Sequence, residues 1–538
     1  LICFFLYFCK VKIIFFVTVN MKTFNTAGTC RPNQHYMVDI TDRLEVIRKM
    51  VVMGDYFCIN RGRQYGKTTT LAALTNYLKN EYCVFNISFE GLGDSSFVTV
   101  ENACAEFLKL LKRHSRVNGA SESMQSLLTN VVPVGCTKMA STDFTEVIDE
   151  LCTLSEKPVI ILIDEVDQAS NNDGFIKFLG VLRNMFLSRE VFKTFQSVIL
   201  AGVYDIKNLK LKIRVEEEHQ YNSPWNIAVP FDVDMSLSAK GIADMLAEYK
   251  ADHQMTFDEV FVGQMIRDYT AGYPFLVSRI CQIIDVEQYT WDKDGVLKAT
   301  HDLLVERNTL FDDMVKKLNQ YPELKELLRN ILFEGKTRTF HTDEKYLQIG
   351  LMFNFLANNG GTVAIACRLM EMRLYNLFIG EYETSRIFTL GQMDKNQFVH
   401  DGIIDMRRIM ERFCVYFNEI YRPGHDDQFV EDNGRKIFLI YLRPIINGIG
   451  NYYCEAQTRD LSRTDIIIDY MGQQYIVELK IWRGQSYNER GEKQLVEYLE
   501  RYNLQTGYML SFCFNKTKKS GLQPPVELNG HTLIEAIV

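Results

Sequence analysis

The chain has 538 residues, 47% hydrophobic and 24% charged, a composition ordinary for globular protein and a length that suits roughly three domains. A net charge of -8 and a pI near 5.7 exclude a protein that coats nucleic acid wholesale; a local basic groove stays open, because phosphate attraction is short-ranged in physiological salt. The 13 cysteines are scattered, with neither Cys-x-x-Cys spacing nor a zinc-like pattern with histidine; they read as reduced thiols in a reducing, cytoplasmic compartment.

Residues 1–20 are strongly apolar but carry Lys10 and Lys12. A membrane span needs about 20 mostly uncharged apolar residues. We read 1–20 as translation upstream of a start at Met21, outside the structural core. No other stretch qualifies as membrane-spanning, and no membrane partner is expected.

Next comes an apolar run, Tyr56 to Asn60, then Arg61-Gly62-Arg63-Gln64-Tyr65-Gly66-Lys67-Thr68-Thr69, then a helical pattern through Leu71, Leu74 and Leu78. Strand, glycine loop, Gly-Lys-Thr and helix is how a chain cradles a nucleoside triphosphate, with loop amides and the helix N-terminus aimed at phosphate oxygens. Gly62, Gly66, Lys67, Thr68 and Thr69 are the expected ATP-binding residues. Lys67 reaches the β- and γ-phosphates and the Thr68 hydroxyl ligates Mg²⁺. The usual first glycine position holds Arg61, and the glycine falls at Gly62.

Strands are expected near Cys83–Ser88, Val159–Asp164 and Ser197–Ala201, with helices at Lys67–Asn80, Phe97–Arg113, Asp143–Ser155 and Gly174–Leu187. This alternation predicts a parallel α/β sheet with ligands at the strand carboxyl ends. The run Pro158 to Ile163 is apolar and β-branched, as a doubly buried strand requires, and ends in Asp164-Glu165. Asp164 is expected in the Mg²⁺ shell, and Glu165 as the residue that orients or deprotonates the attacking water. Ser115–Thr142 is polar and reads as a long loop. Tyr204 or Asp205 could lie near the γ-phosphate, or simply end a strand. Arg183, Arg189 and Arg214 are equal candidates for an arginine finger.

From Met235 to Ile284 the pattern is helical, punctuated by Thr270-Ala271-Gly272-Tyr273-Pro274-Phe275-Leu276. Helices and a hairpin around Asn359-Gly360-Gly361 follow, fitting either a winged-helix-like module or a helical spacer. Further on, Arg463 to Tyr470 and Tyr475 to Ile481 read as two strands joined at Gly472-Gln473. Alternation puts Glu478 and Lys480 on one strand face, with Val477 and Leu479 on the other. Asp465 and Glu478 suit a hard cation such as Mg²⁺. Lys480 suits positioning a nucleophile or offsetting transition-state charge. An earlier helical stretch, His425 to Tyr441, carries Glu431, and a later one, Glu492 to Tyr502, carries Gln494.

These residues carry a resemblance. The C-terminal part resembles the PD-(D/E)XK nuclease superfamily, with Asp465, Glu478 and Lys480 on its core motif. Glu431 is similar to the acid on its preceding helix and Gln494 to the glutamine on its following one. Phe429 to Asn447, with Tyr441-Leu442-Arg443-Pro444, is similar to the nuclease module fused to AAA-ATPase-like domains in bacterial proteins. The N-terminal part resembles that partner, whose loop is also arginine-rich with a displaced first glycine. The resemblance implies an AAA-like P-loop core over 21–234, a helical lid over 235–300, a helical or winged-helix-like region over 301–404, and an α/β restriction-endonuclease-like domain over 405–538. It implies an ATPase coupled to Mg²⁺-dependent cleavage of phosphodiesters, of DNA before RNA, with catalytic Glu165, Asp465, Glu478, Lys480, Glu431 and Gln494. The metal ligands it implies are Thr68, Asp164, Asp465 and Glu478. It allows a homo-oligomer through the nucleotide face, since such ATPases often complete their site with a neighbour's arginine. The alternative is an ATP-driven switch or scaffold whose nuclease-like domain binds a partner without cutting.

Overall fold

The computed structural model describes residues 21–116, 120–170, 172–203, 225–333, 338–341, 344–381, 385–400, 403–420, 431–446, 450–453, 466–471, 473–481, 485–513 and 519–538. At a few positions in helices and strands, Glu431 among them, only the backbone is described. Two units result. One comprises residues up to Gly263 with Gly272–Gln282 and Met352–Asn354; the other comprises Gln264–Ala271, Ile283–Leu351 and Phe355–Val538.

In the first unit, β1 (Phe57–Asn60), β2 (Cys83–Ser88), β3 (Val159–Asp164) and β4 (Ser197–Gly202) form a parallel sheet in the order β1-β4-β3-β2. Helices Lys67–Leu78, Val100–Ser115, Ser141–Leu154 and Asp173–Leu187 make the crossovers. Every residue of β3 is buried, because side chains alternate and each face has its own core. Ile161, Ile163, Val198 and Leu200 pack with Phe107, Phe144 and Phe178. Ile160, Leu162, Ile199 and Ile59 pack with Ile47, Leu71 and Leu74. On the outer side of β1, Val229 N donates to Tyr56 O at 2.9 Å, forming a parallel bridge. The register pairs Asn60 with Gly202 and Ser88 with Asp164, so these residues share the carboxyl edge of the sheet.

The stretch Ser115–Thr142, expected as a loop, instead contains a helix at Glu122–Val131. Ser121 caps it by accepting from Met124 N at 3.3 Å, and Met124 and Leu128 are buried. Two apolar anchors one turn apart dock a helix that a polar average conceals.

Helices Ala239–Asp252, Glu259–Thr270 and Pro274–Val286 follow. Residues 21–36 run beside the first of these, where Phe24, Tyr36 and Tyr249 form an aromatic cluster with ring centroids 5.1 to 5.3 Å apart. Among the described residues no helix is long and apolar enough to cross a membrane.

The second unit begins with helices and the expected hairpin, β5 (Leu356–Asn359) against β6 (Thr362–Ile365). A minimal pair, β7 (Val399–His400) and β8 (Ile403–Ile404), precedes helices Met406–Ile420 and Glu431–Ile446. Then β9 (Gly450–Tyr453), β10 (Ile466–Tyr470) and β11 (Gln473–Ile481) run antiparallel. Helix Gln485–Tyr502 leads to β12 (Thr506–Phe512), parallel to β11. After β13 (Gly521–Leu522) and β14 (Val526–Leu528), β15 (His531–Ile537) lies parallel to β12. Helix Glu431–Ile446 covers one face, its Gly434 tight against Phe512; helix Gln485–Tyr502 covers the other, its Leu495 and Leu499 against Gly507.

One glycine tests the first unit's packing. A Cβ at Gly174 would lie 2.3 Å from Phe97 O and 2.6 Å from Thr99 O, both backbone atoms, whereas one at Gly93 would meet only Ser95 Oγ at 3.7 Å. Gly174→Ala is expected to destabilise the protein by about 1–3 kcal/mol and Gly93→Ala by less than about 0.5 kcal/mol. Denaturant unfolding reads both, and equal midpoints would contradict this packing.

Candidate functional site

The loop after β1 turns on left-handed residues. Gln64 has φ of 56° and Gly66 φ of 80°. Gly66 is the N-cap of helix Lys67–Leu78 and makes no side-chain cap. Helix N-termini leave N–H groups and a partial positive charge directed outward, a ready anion site.

Lys67 is only 7% exposed. Its Nζ donates to Arg61 O at 2.9 Å and Gly62 O at 3.0 Å. Burial pulls its ammonium below the ordinary lysine range, against the opposing pull of Asp167, Glu165 and Asp164. A cation held this way by carbonyls is poised for an anion, and phosphate fits both its charge and the loop. The Thr68 hydroxyl, at the exposed start of the helix, donates to Asp164 Oδ2 at 2.6 Å. Asp164 is 5% exposed, and its Oδ1 accepts from Glu165 N at 2.9 Å. A hydroxyl beside a carboxylate is a donor set that suits Mg²⁺. Glu165 stands at a left-handed φ of 53°, turning the chain at the end of β3. Burial pushes its carboxyl up, and Asp164 pushes the same way.

Several contacts around this loop, some made by residues already singled out and some by others, were not foreseen in the sequence. Arg61, in the usual glycine position, donates to Val233 O at 2.9 Å and lies 5.6 Å from the Phe231 ring centroid. It pins the chain that follows Val229. Thr69 accepts from Cys30 N at 3.2 Å, joining residues 21–36 to the loop. Asp167 Oδ2 accepts from Val203 N at 2.6 Å, bracing β4 against the turn after β3. Tyr273 packs edge-on against Tyr65 at 4.6 Å and donates to Arg63 O. A Cβ at Gly66 would meet Pro274 Cγ at 3.8 Å. The turn through Gly272 and Pro274, visible in the sequence as helix punctuation, therefore sits against the glycine loop.

Arg189 donates to Gly54 O at 3.0 Å, at the opposite end of β1 from the loop. Arg183 lies on helix Asp173–Leu187. Arg214, Tyr204 and Asp205 lie outside the described residues.

In the second unit Glu478 is 0% exposed, and Lys480 Nζ lies 2.8 Å from its Oε1. Lys480 also donates to Gln494 Oε1 at 3.4 Å. The fold thus brings together three of the expected residues. Register adds two that the sequence did not single out. Lys480 pairs with Ser511, Glu478 with Met509, and Met509 with Glu535. Ser511 Oγ donates to Glu535 Oε1 at 2.6 Å. Only the pairing of three distant strands creates that polar row. Asp465 lies outside the described residues. Glu431 begins helix Glu431–Ile446. Among the described residues no group of three or more His, Cys, Asp or Glu side chains could hold a metal ion.

No family model matches the chain, and no curated protein does. It is similar to several solved structures. A Walker-type ATPase of Pyrococcus abyssi is 13% identical, with 65% of this chain and 99% of that one covered and a TM-score of 0.44. The Aeropyrum pernix ORC2 protein, in ADPNP–ADP complexes, is 11% identical, with 66% and 97% covered and a TM-score of 0.36. The Aeropyrum pernix ORC1 protein in complex with DNA is 12% identical, with 64% and 94% covered and a TM-score of 0.29. The first unit is an α/β fold, a parallel sheet between helices, with a glycine loop and an acidic strand end at its carboxyl edge.

Glu165 generates a pH prediction. A carboxyl whose folded-state pKa is raised binds its proton more tightly in the native protein, so its ionisation weakens the fold as pH rises through that raised value. Glu165→Gln is expected to raise the nucleotide-free melting midpoint at pH 7. The gain should fade as pH falls and vanish near pH 4, about the ordinary glutamate value. A gain independent of pH would contradict this.

Proposed function

We propose that this protein binds ATP with Mg²⁺ and hydrolyses it, and that its C-terminal region is a Mg²⁺-dependent nuclease acting on DNA. The observation that carries the first part is the buried Lys67 beside Thr68 and Asp164, three residues from two elements at one sheet edge. In this reading 21–234 is the ATPase core and 235–300 its lid. Lys67 and the amides from Gly62 to Thr69 hold the phosphates; Thr68 and Asp164 hold Mg²⁺, which offsets charge on the β- and γ-phosphates when bound. Glu165 orients the attacking water and takes its proton. Burial and Asp164 raise its carboxyl, which makes it a stronger proton acceptor than an ordinary glutamate.

The nuclease reading rests on the resemblance. It is supported by the order helix, three antiparallel strands, helix, parallel strand, and by Glu478, Lys480 and Gln494 meeting on one face. In this reading Asp465 and Glu478 hold the metal, Lys480 positions the attacking water, and Glu431 and Gln494 support them. The metal supplies Lewis-acid polarisation of the phosphodiester.

The test is cutting of supercoiled plasmid, single-stranded DNA and RNA with Mg²⁺, with and without ATP. Glu478→Ala and Lys480→Ala are each expected to lower DNA cutting by about 10²-fold or more, and Lys67→Ala to remove its ATP dependence. Cutting of RNA alone would overturn the substrate. Intact ATP hydrolysis with no cutting at all would overturn the nuclease and leave a nucleotide-driven switch.

A further inference from the structure

Asn354 lies in sequence between helix Lys345–Met352 and β5, far along the chain from the phosphate loop. Yet Met352–Asn354 belongs to the first unit. Its backbone is left-handed, with φ of 57°, a conformation asparagine adopts more readily than most residues. The side chain lies directly against Gly62: a Cβ there would sit 2.4 Å from Asn354 Nδ2 and 3.4 Å from its Cγ. The Tyr273 hydroxyl flanks the same point at 3.6 Å.

Two facts give this contact meaning. Gly62 O is one of the two carbonyls that hold Lys67 Nζ, at 3.0 Å, so the amide stands beside the residue that positions the buried ammonium. Asn354 Nδ2 is itself buried and has no hydrogen-bond partner among the described residues. A buried amide donor left unmade is costly, and the rare cases in folded proteins call for a reason.

We propose that Asn354 Nδ2 donates a hydrogen bond to a phosphate oxygen of the nucleotide held by Lys67, making segment 352–354 part of the phosphate site. This rests on the nucleotide-binding reading above. It accounts for the displaced glycine, since position 62 has no room for a side chain while Asn354 occupies it. It also accounts for a left-handed asparagine where glycine would be the least strained choice. The contact is a positioning one, with Asn354 registering whether a phosphate is present.

The experiment is calorimetric titration of the full chain with Mg²⁺ and a non-hydrolysable ATP analogue. Lys67→Ala, Asn354→Gly and Asn354→Asp run beside the native protein. Asn354→Gly removes the amide without backbone strain, which alanine would impose; Asn354→Asp keeps the shape and replaces a donor with a negative charge. We expect binding weaker by roughly ten- to a hundredfold for Asn354→Gly, as for the loss of one hydrogen bond to a charged group, and a further loss for Asn354→Asp. Nucleotide-free melting midpoints should stay close to native. If the native protein binds, Lys67→Ala does not, and both Asn354 variants bind as native, this proposal fails while the nucleotide site stands. Equal losses for Asn354→Gly and Asn354→Asp also overturn it, because a residue that merely shapes the loop is indifferent to charge. If the native protein itself fails to bind, the nucleotide reading falls first.

Discussion

A buried ammonium is expensive to keep charged, and the first unit is arranged around one. Lys67 enters the helix that follows β1 and folds back under its own loop onto Arg61 O and Gly62 O. Two neutral carbonyls solvate it only in part, so its charge stays available to a phosphate. The parallel sheet sets this up. β1 delivers the loop and β3 delivers Asp164 to the same edge, close enough for Thr68 Oγ1 to donate at 2.6 Å. Buried strands running parallel put both groups there, as open α/β sheets generally do.

Around that centre, departures from the usual loop are put to other uses. Arg61 reaches away from its own position, its guanidinium donating to Val233 O and fastening the chain leading into the later helices. Gly62 yields space to Asn354, and Gly66 lies within van der Waals distance of Pro274. Tyr65 and Tyr273 close edge-on. Segments from before the sheet, through Cys30, and from far beyond it, through Tyr273 and Asn354, thus converge on the loop.

Much of this was legible in the sequence. The parallel strands appear as apolar, β-branched runs, because burial on both faces leaves no polar alternation. That Thr68 and Asp164 meet was readable, because a parallel sheet brings the residues that follow its strands to one edge. The pairing of Glu478 with Lys480 follows from two-residue periodicity alone. Other features were not legible, for physical reasons. Helix Glu122–Val131 depends on two buried side chains in a polar stretch. Asn354 and Tyr273 reach the loop through tertiary packing, with long sequence separation and no local signature. The Ser511–Glu535 pair needs the register of β12 against β15, which no local pattern encodes.

The central claim is that the Lys67 loop is a phosphate site. Its most direct measure is the melting midpoint of the full chain titrated with Mg²⁺ and ATP, against the same titration with adenosine. A ligand that binds only the native state adds about 2.7 kcal/mol of stability at one hundred times its dissociation constant. The account predicts a midpoint that climbs with ATP, stays flat with adenosine, and stays flat with ATP once Lys67 is alanine. An equal rise with adenosine, or a rise that survives loss of Lys67, would contradict it.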